Sequence, residues 1–158
     1  MNKQILFLLI LGFGLNQLNA QNYLPIWDKA YGGIYIDGWI VRGIEILQIP
    51  NGGGFILAGE SSSGSSGNRN DSICETIPDL WFVRIDSTGN IIWDRALSGG
   101  GAGENKFSNL IFLNDSLFAF SSNSSCDSGC EKSDSSRGNA DYWIGVMDIW
   151  GNLLWEKT

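Results

Sequence analysis

Asp79-Leu-Trp-Phe-Val-Arg-Ile-Asp-Ser-Thr-Gly-Asn-Ile-Ile-Trp-Asp-Arg-Ala96 occurs a second time, altered but in register, as Asp141-Tyr-Trp-Ile-Gly-Val-Met-Asp-Ile-Trp-Gly-Asn-Leu-Leu-Trp-Glu-Lys-Thr158. The copies lie 62 residues apart throughout, and Asp, Trp, Asp, Gly, Asn and Trp recur at fixed places. A period of this length marks a repeat architecture, so it takes precedence over any local motif.

Each copy reads as strand, turn, strand. In the first, Trp81, Val83 and Ile85 fall on one face and Leu80 and Phe82 on the other. In the second, Trp143 and Met147 oppose Tyr142, Ile144 and Val146. Apolar residues on both faces predict a sheet covered on both sides. At the turns Asp86–Asn90 and Asp148–Asn152, the aspartate can accept backbone N–H groups and the glycine can supply a left-handed residue. Turn geometry therefore accounts for the recurring Asp and Gly without catalysis.

A second hairpin precedes each copy. Ile44–Pro50 and Phe55–Gly59 flank the turn Asn51-Gly-Gly-Gly54, and Asn109–Leu113 and Leu117–Phe120 flank Asn114–Ser116. No run carries a 3.6-residue period and glycine interrupts every one, which disfavours helix. The loops Ser61–Pro78 and Ser121–Ala140 are rich in Ser, Gly, Asn and Asp, a composition that predicts exposed, mobile chain. Upstream, Tyr23-Leu-Pro-Ile-Trp-Asp-Lys-Ala-Tyr-Gly-Gly33 matches Ile92-Trp-Asp-Arg-Ala-Leu-Ser-Gly-Gly100. It reads as the last strand of a unit whose head is absent.

Four strands per unit is the pattern of a β-propeller blade. The expected fold is all-β, about two four-stranded antiparallel blades of an incomplete propeller behind a signal peptide. Residues 1–20 read as the signal, 21–33 as a leading strand, 34–96 as the first blade and 97–158 as the second, cut short at its end. A self-sufficient fold of two packed sheets is the alternative.

The same elements carry a resemblance. Trp-[Asp/Glu]-[Lys/Arg] with a following Gly-Gly, Ala58-Gly-Glu-Ser-Ser62, Asp141-Tyr-Trp143 and Asp-x-x-Gly-Asn-x-x-Trp come in an order similar to the repeats of large secreted, surface-associated bacterial proteins. Those repeats are regarded as propellers and often precede a type IX secretion sorting domain. The resemblance covers residues 23–158 and implies a fold and a compartment, but no activity. The chain departs from the pattern at Phe118-Ala-Phe-Ser-Ser122, in its loop cysteines, and at Thr158, where the copy stops before its Gly-Gly. It is therefore expected to be an N-terminal fragment of a longer protein or a truncated frame, with further blades as partners.

The remaining features set limits. Lys3, the apolar run Ile5–Leu15 and the small residue Ala20 make a cleavable secretory signal, too short for a good spanning helix, and no later stretch could cross a membrane. Without residues 1–20, nine bases face 17 acids, a net charge of −8 with no histidine. Nucleic acid is a poor partner for such a chain. Ser/His/Asp and Cys/His catalysis lack their imidazole. Gly52–Gly54 and Gly99–Gly101 have no Lys-Ser sequel for phosphate.

Three cysteines, Cys74, Cys126 and Cys130, sit in loop sequence of an exported chain. Cys126 and Cys130 can pair with each other, or one can reach Cys74, and one thiol is left over. The oxygen-rich groups Asn68/Asn70/Asp71 and Asp127/Glu131/Asp134 lack calcium-loop spacing. Of seven tryptophans, Trp27, Trp81, Trp93, Trp143 and Trp155 fall on repeat positions and read as core; Trp39 and Trp150 do not recur. These two are the candidate ligand-surface aromatics, able to stack on a sugar ring or on a neighbouring chain. The expected function is that of a secreted, non-catalytic scaffold at the cell surface, without cofactor, binding a protein or a glycan. The alternatives are an accessory region of a larger secreted enzyme and a small glycan-binding module.

Overall fold

A computed structural model describes residues 26–37, 44–71, 74 and 78–158. The signal (1–20), the start of the leading segment and Trp39 lie outside the described residues. Within them the chain is all-β, with a single turn of 3-10 helix at Pro50–Gly52 and no α-helix.

Eight strands form two antiparallel sheets, each ordered as it runs in sequence. The first holds β1 (Glu45–Gln48), β2 (Phe55–Ser61), β3 (Asp79–Ile85) and β4 (Ile91–Leu97). The second holds β5 (Asn105–Phe112), β6 (Leu117–Ser124), β7 (Asp141–Asp148) and β8 (Leu153–Lys157). The two copies of the repeat are therefore the β3–β4 and β7–β8 hairpins. Their registers match: Arg84 pairs with Trp93 as Val146 pairs with Trp155, and each ladder slips one residue further on, after Arg84 and after Val146.

The turns behave alike too. Asp86 Oδ1 accepts the N–H groups of Thr88 and Asn90, and Asp148 Oδ1 those of Trp150 and Asn152. Gly89 and Gly151 sit at φ 78° and 92°, where a side chain is strained. These hydrogen bonds hold the Asp86 carboxyl far below the ordinary carboxylate range.

Period-two alternation sorts the core. Ile56, Ala58, Leu80, Phe82 and Leu97 on one face of the first sheet pack against Phe107, Leu110, Phe118, Phe120, Trp143 and Met147 of the second. Phe82 is central, with ring centroids 5.1 Å from Phe120, 6.2 Å from Phe118 and 6.4 Å from Phe107. The other face of the first sheet presents Trp81, Val83 and Ile85 to Trp27 and Tyr31 of the leading segment. Two carboxylates stitch the seam between the sheets: Glu60 accepts the N–H of Phe107 (2.8 Å) and Glu45 that of Leu110 (2.6 Å).

Three expectations are corrected. The described part of the leading segment, from Ile26 on, is not a strand up to Gly33, because it lies across a sheet face rather than along an edge and is held by side chains. The second sheet is covered on one face only: Tyr142 and Ile144 are 79% and 42% exposed, where the equivalent Leu80 and Phe82 are buried. The polar loops, where described, are docked on the sheets rather than left loose in solvent: Asn70 and Asp71 donate their N–H groups to Asp94 of β4, and Ser133 donates its own to Glu156 of β8.

The one-sided covering sets up a paired test. Phe82→Ala should cost about 3–5 kcal/mol, and Ile144→Ala, at the same place in the second unit, less than about 1 kcal/mol, by urea unfolding. Equal costs would mean that the outer face of the second sheet is covered after all.

Candidate functional site

The loops of both units follow one plan. In the first, Ser66 and Arg69 form a small bridge; in the second, Gly129 and Lys132 do. Arg69 and Lys132 are 1% and 2% exposed, each held by groups of its own loop. Lys132 Nζ donates to the carbonyls of Cys126 (3.1 Å) and Asp134 (2.6 Å) and to Ser136 Oγ (3.3 Å), and burial pulls its pKa down. Arg69 donates to Ser61 Oγ and the Asp71 carbonyl, stacks 5.7 Å over Trp81 and lies 3.6 Å from Asp79.

A polar cavity of about 400 Å³ opens where the two loops meet, lined by Asp71, Asp79, Arg95, Ser98 and Glu131 and bordered by the Cys74–Cys130 disulfide. Asp79 is fully buried, and neither carboxylate oxygen receives a well-formed hydrogen bond. Burial raises its carboxyl from 3.8 to about 6, against the opposing pull of the Ser98 hydroxyl and the Arg69 guanidinium. Arg95 reaches Glu131 at 3.7 Å and Asp71 at 4.0 Å. Chemically this is a recess with one carboxyl that changes charge near neutrality beside two guanidinium groups. Its size and polar lining suit a small polar solute.

The anticipated residues fall out as follows. Of the pairings left open by the sequence, the structure selects Cys74 with Cys130; Cys126 is a buried free thiol. Trp150 is 64% exposed at the β7–β8 turn, and Trp39 lies outside the described residues.

The calcium-type groups are dispersed. Asn68 ties down Gly32 and Ala30 of the leading segment, Asp71 and Asn70 donate backbone N–H groups to Asp94, and Asp134 pairs with Lys157. Among the described residues no group of three His, Cys, Asp or Glu side chains is placed to hold a metal. No described helix is long and apolar enough to cross a membrane. Arg69 and Lys132 escaped sequence reasoning, although their signal was present: they stand 63 residues apart in matching loops.

Repeated residues are absorbed by repeated bonds. The Trp81 indole N–H donates to Asp94 (3.2 Å) and that of Trp143 to Glu156 (2.6 Å), so each acid of the Trp-[Asp/Glu] pair anchors the tryptophan of the neighbouring strand. The same acids receive backbone N–H groups of the docked loops, from Asn70 and Asp71 in the first unit and Ser133 in the second. Comparison with protein-family models, with curated proteins and with solved structures gives no match.

Two tests follow from the cavity. The folded chain holds a proton on Asp79 that the unfolded chain releases at about pH 4. Asp79 should therefore lower stability as pH rises from about 4 to about 6, by at most about 3 kcal/mol, with a flat contribution above. In Asp79→Asn that component should vanish from the difference between urea curves at pH 4 and pH 7; an unchanged difference would remove Asp79 as its source. Peptide mapping without reductant should recover Cys74 linked to Cys130 and Cys126 free. Reduction should lower stability by about 2–4 kcal/mol.

Proposed function

We propose that the chain is a secreted, non-catalytic segment of propeller-type repeats that works as an interaction scaffold at or outside the cell surface. One observation supports it above the others: the recurring polar residues are spent on structure in both units, Asp86 and Asp148 on turns and Asp94 and Glu156 on indoles. A site for chemistry is normally unique, whereas a device that repeats with the unit serves the unit. Two sheets packed face to face, each a run of four antiparallel strands, agree with the arrangement of neighbouring blades. The disulfide agrees with an oxidising compartment, and the Lys3–Ala20 stretch supplies the route there. Further blades, a type IX sorting domain or an enzyme domain would belong to a longer chain.

A second reading, a glycan-binding surface, draws on the exposed Trp150 indole. Fractionation and binding separate these outcomes. The chain, expressed with residues 1–20 in place, should leave the cytoplasm with those residues removed; retention inside would end the proposal. In a polysaccharide pull-down, loss of binding in Trp150→Ala would favour the glycan surface, and equal binding by variant and parent would discard it.

A further inference from the structure

Three tryptophans begin the three Trp-[Asp/Glu]-Lys/Arg segments: Trp27, Trp93 and Trp155. The first two make the same contact. Trp27 donates its indole N–H to the Ser87 carbonyl at 2.9 Å and lies so close to Gly89 that a Cβ there would come within 2.9 Å of the ring. Trp93 donates to the Ile149 carbonyl at 2.9 Å and covers Gly151, whose Cβ would come within 3.2 Å. Ser87 and Ile149 occupy one position of one turn, directly after the aspartate. Each contact gains a second donor to the turn: Tyr31 Oη–H to the Gly89 carbonyl in one, Arg84 to the Ile149 carbonyl in the other. A tryptophan from one layer thus caps the Asp-x-x-Gly-Asn turn of the next.

Trp155 is third in the series and caps no turn among the described residues; it is 52% exposed. Around it the outer face of the second sheet carries Ile111, Ile144 and Tyr142, at 52%, 42% and 79% exposure. Register sets these where Leu47, Phe82 and Leu80 of the first sheet pack toward the second sheet. Asn123 stands where Glu60 accepts an N–H group across the seam, and an asparagine oxygen can accept there too. An apolar sheet face of this kind in water marks an interaction site.

We propose that this face, anchored by Trp155, docks the Asp-x-x-Gly-Asn turn and the adjoining sheet of another four-stranded unit of the same type. The occupant is specified by the two contacts already made: a carbonyl directly after an aspartate for the indole N–H, a glycine under the ring, and an apolar sheet face beside them. The proposal rests on the repeat-scaffold reading above and deepens it by naming the partner.

The chain carries its own probe. The Asp86–Asn90 turn is covered by Trp27 on a segment that, among the described residues, joins the first sheet's ladder through the Asp37–Ser61 bridge and the Ser62 N–H to Ile36 carbonyl bond. Trp27→Ala, combined throughout with Tyr31→Ala, uncovers that turn. Light scattering across a concentration series should show the parent smaller than Trp27→Ala, which should grow past a dimer, because a head-to-tail contact does not close on itself. Adding Trp155→Ala to that variant should weaken association by about tenfold or more.

A folded Trp27→Ala that stays monomeric, or one whose association ignores Trp155, overturns the proposal. So does a closed dimer formed equally by parent and variant, since the bare faces would then be meeting each other. If the alanine variant does not fold, Trp27→Leu, which keeps an apolar side chain on the first sheet but has neither the indole N–H nor a flat ring to lay over Gly89, takes its place, and the same outcomes apply to it. Retention in the cytoplasm would sink the scaffold reading without altering these results, and their failure would leave the fractionation untouched.

Discussion

A sheet with apolar side chains on both faces must be covered twice, and most of this structure is a response to that constraint. The hydrophobic effect makes each uncovered Leu, Ile or Phe cost roughly 1.5–3 kcal/mol relative to burial. The first sheet meets the demand with the second sheet on one side and with Trp27 and Tyr31 on the other. The tryptophan-to-turn contact aligns the layers while they pack, since an indole N–H needs its carbonyl at one depth and one angle. Packing supplies the driving force and the capped turn supplies the register.

Much of this was legible in the residues. The spacing of Trp, Asp, Gly and Asn gave away the two hairpins, their turns and their equivalence, because strand alternation and the left-handed glycine are local properties. The leading segment was harder. Its sequence matches β4, yet it lacks the neighbouring strands that would make it one, so Trp27 keeps the contact of its counterparts without the pairing. The bare face was also hidden, because Tyr142 and Ile144 look as apolar as Leu80 and Phe82, and only the fold shows which of them are exposed.

The cavity shows why polar sites resist such prediction. Asp79 and Asp141 are the same residue of the repeat, but Asp79 is sealed beneath the meeting of two loops while Asp141 is partly exposed and accepts the Arg137 N–H. Burial raises the Asp79 carboxyl to about 6, and what closes over it includes a disulfide between cysteines 56 residues apart. Loop composition predicted mobility because Ser, Gly and Asp bury little. It could not foresee that one Arg and one Lys, each turned inward, would hold its loop together while loop N–H groups bond to Asp94 and Glu156 on the strands.

The Cys74–Cys130 link also changes how the molecule would answer a mechanical load. Tension applied at the two ends passes through the sulfur bridge and bypasses the chain between Cys74 and Cys130, which contains β3 to β6. Stretched, the oxidised protein would fall short of the reduced one by roughly 190 Å of contour. Under load, the strands outside the bridge, β1, β2, β7 and β8, would bear the pull while β3 to β6 are shielded from it.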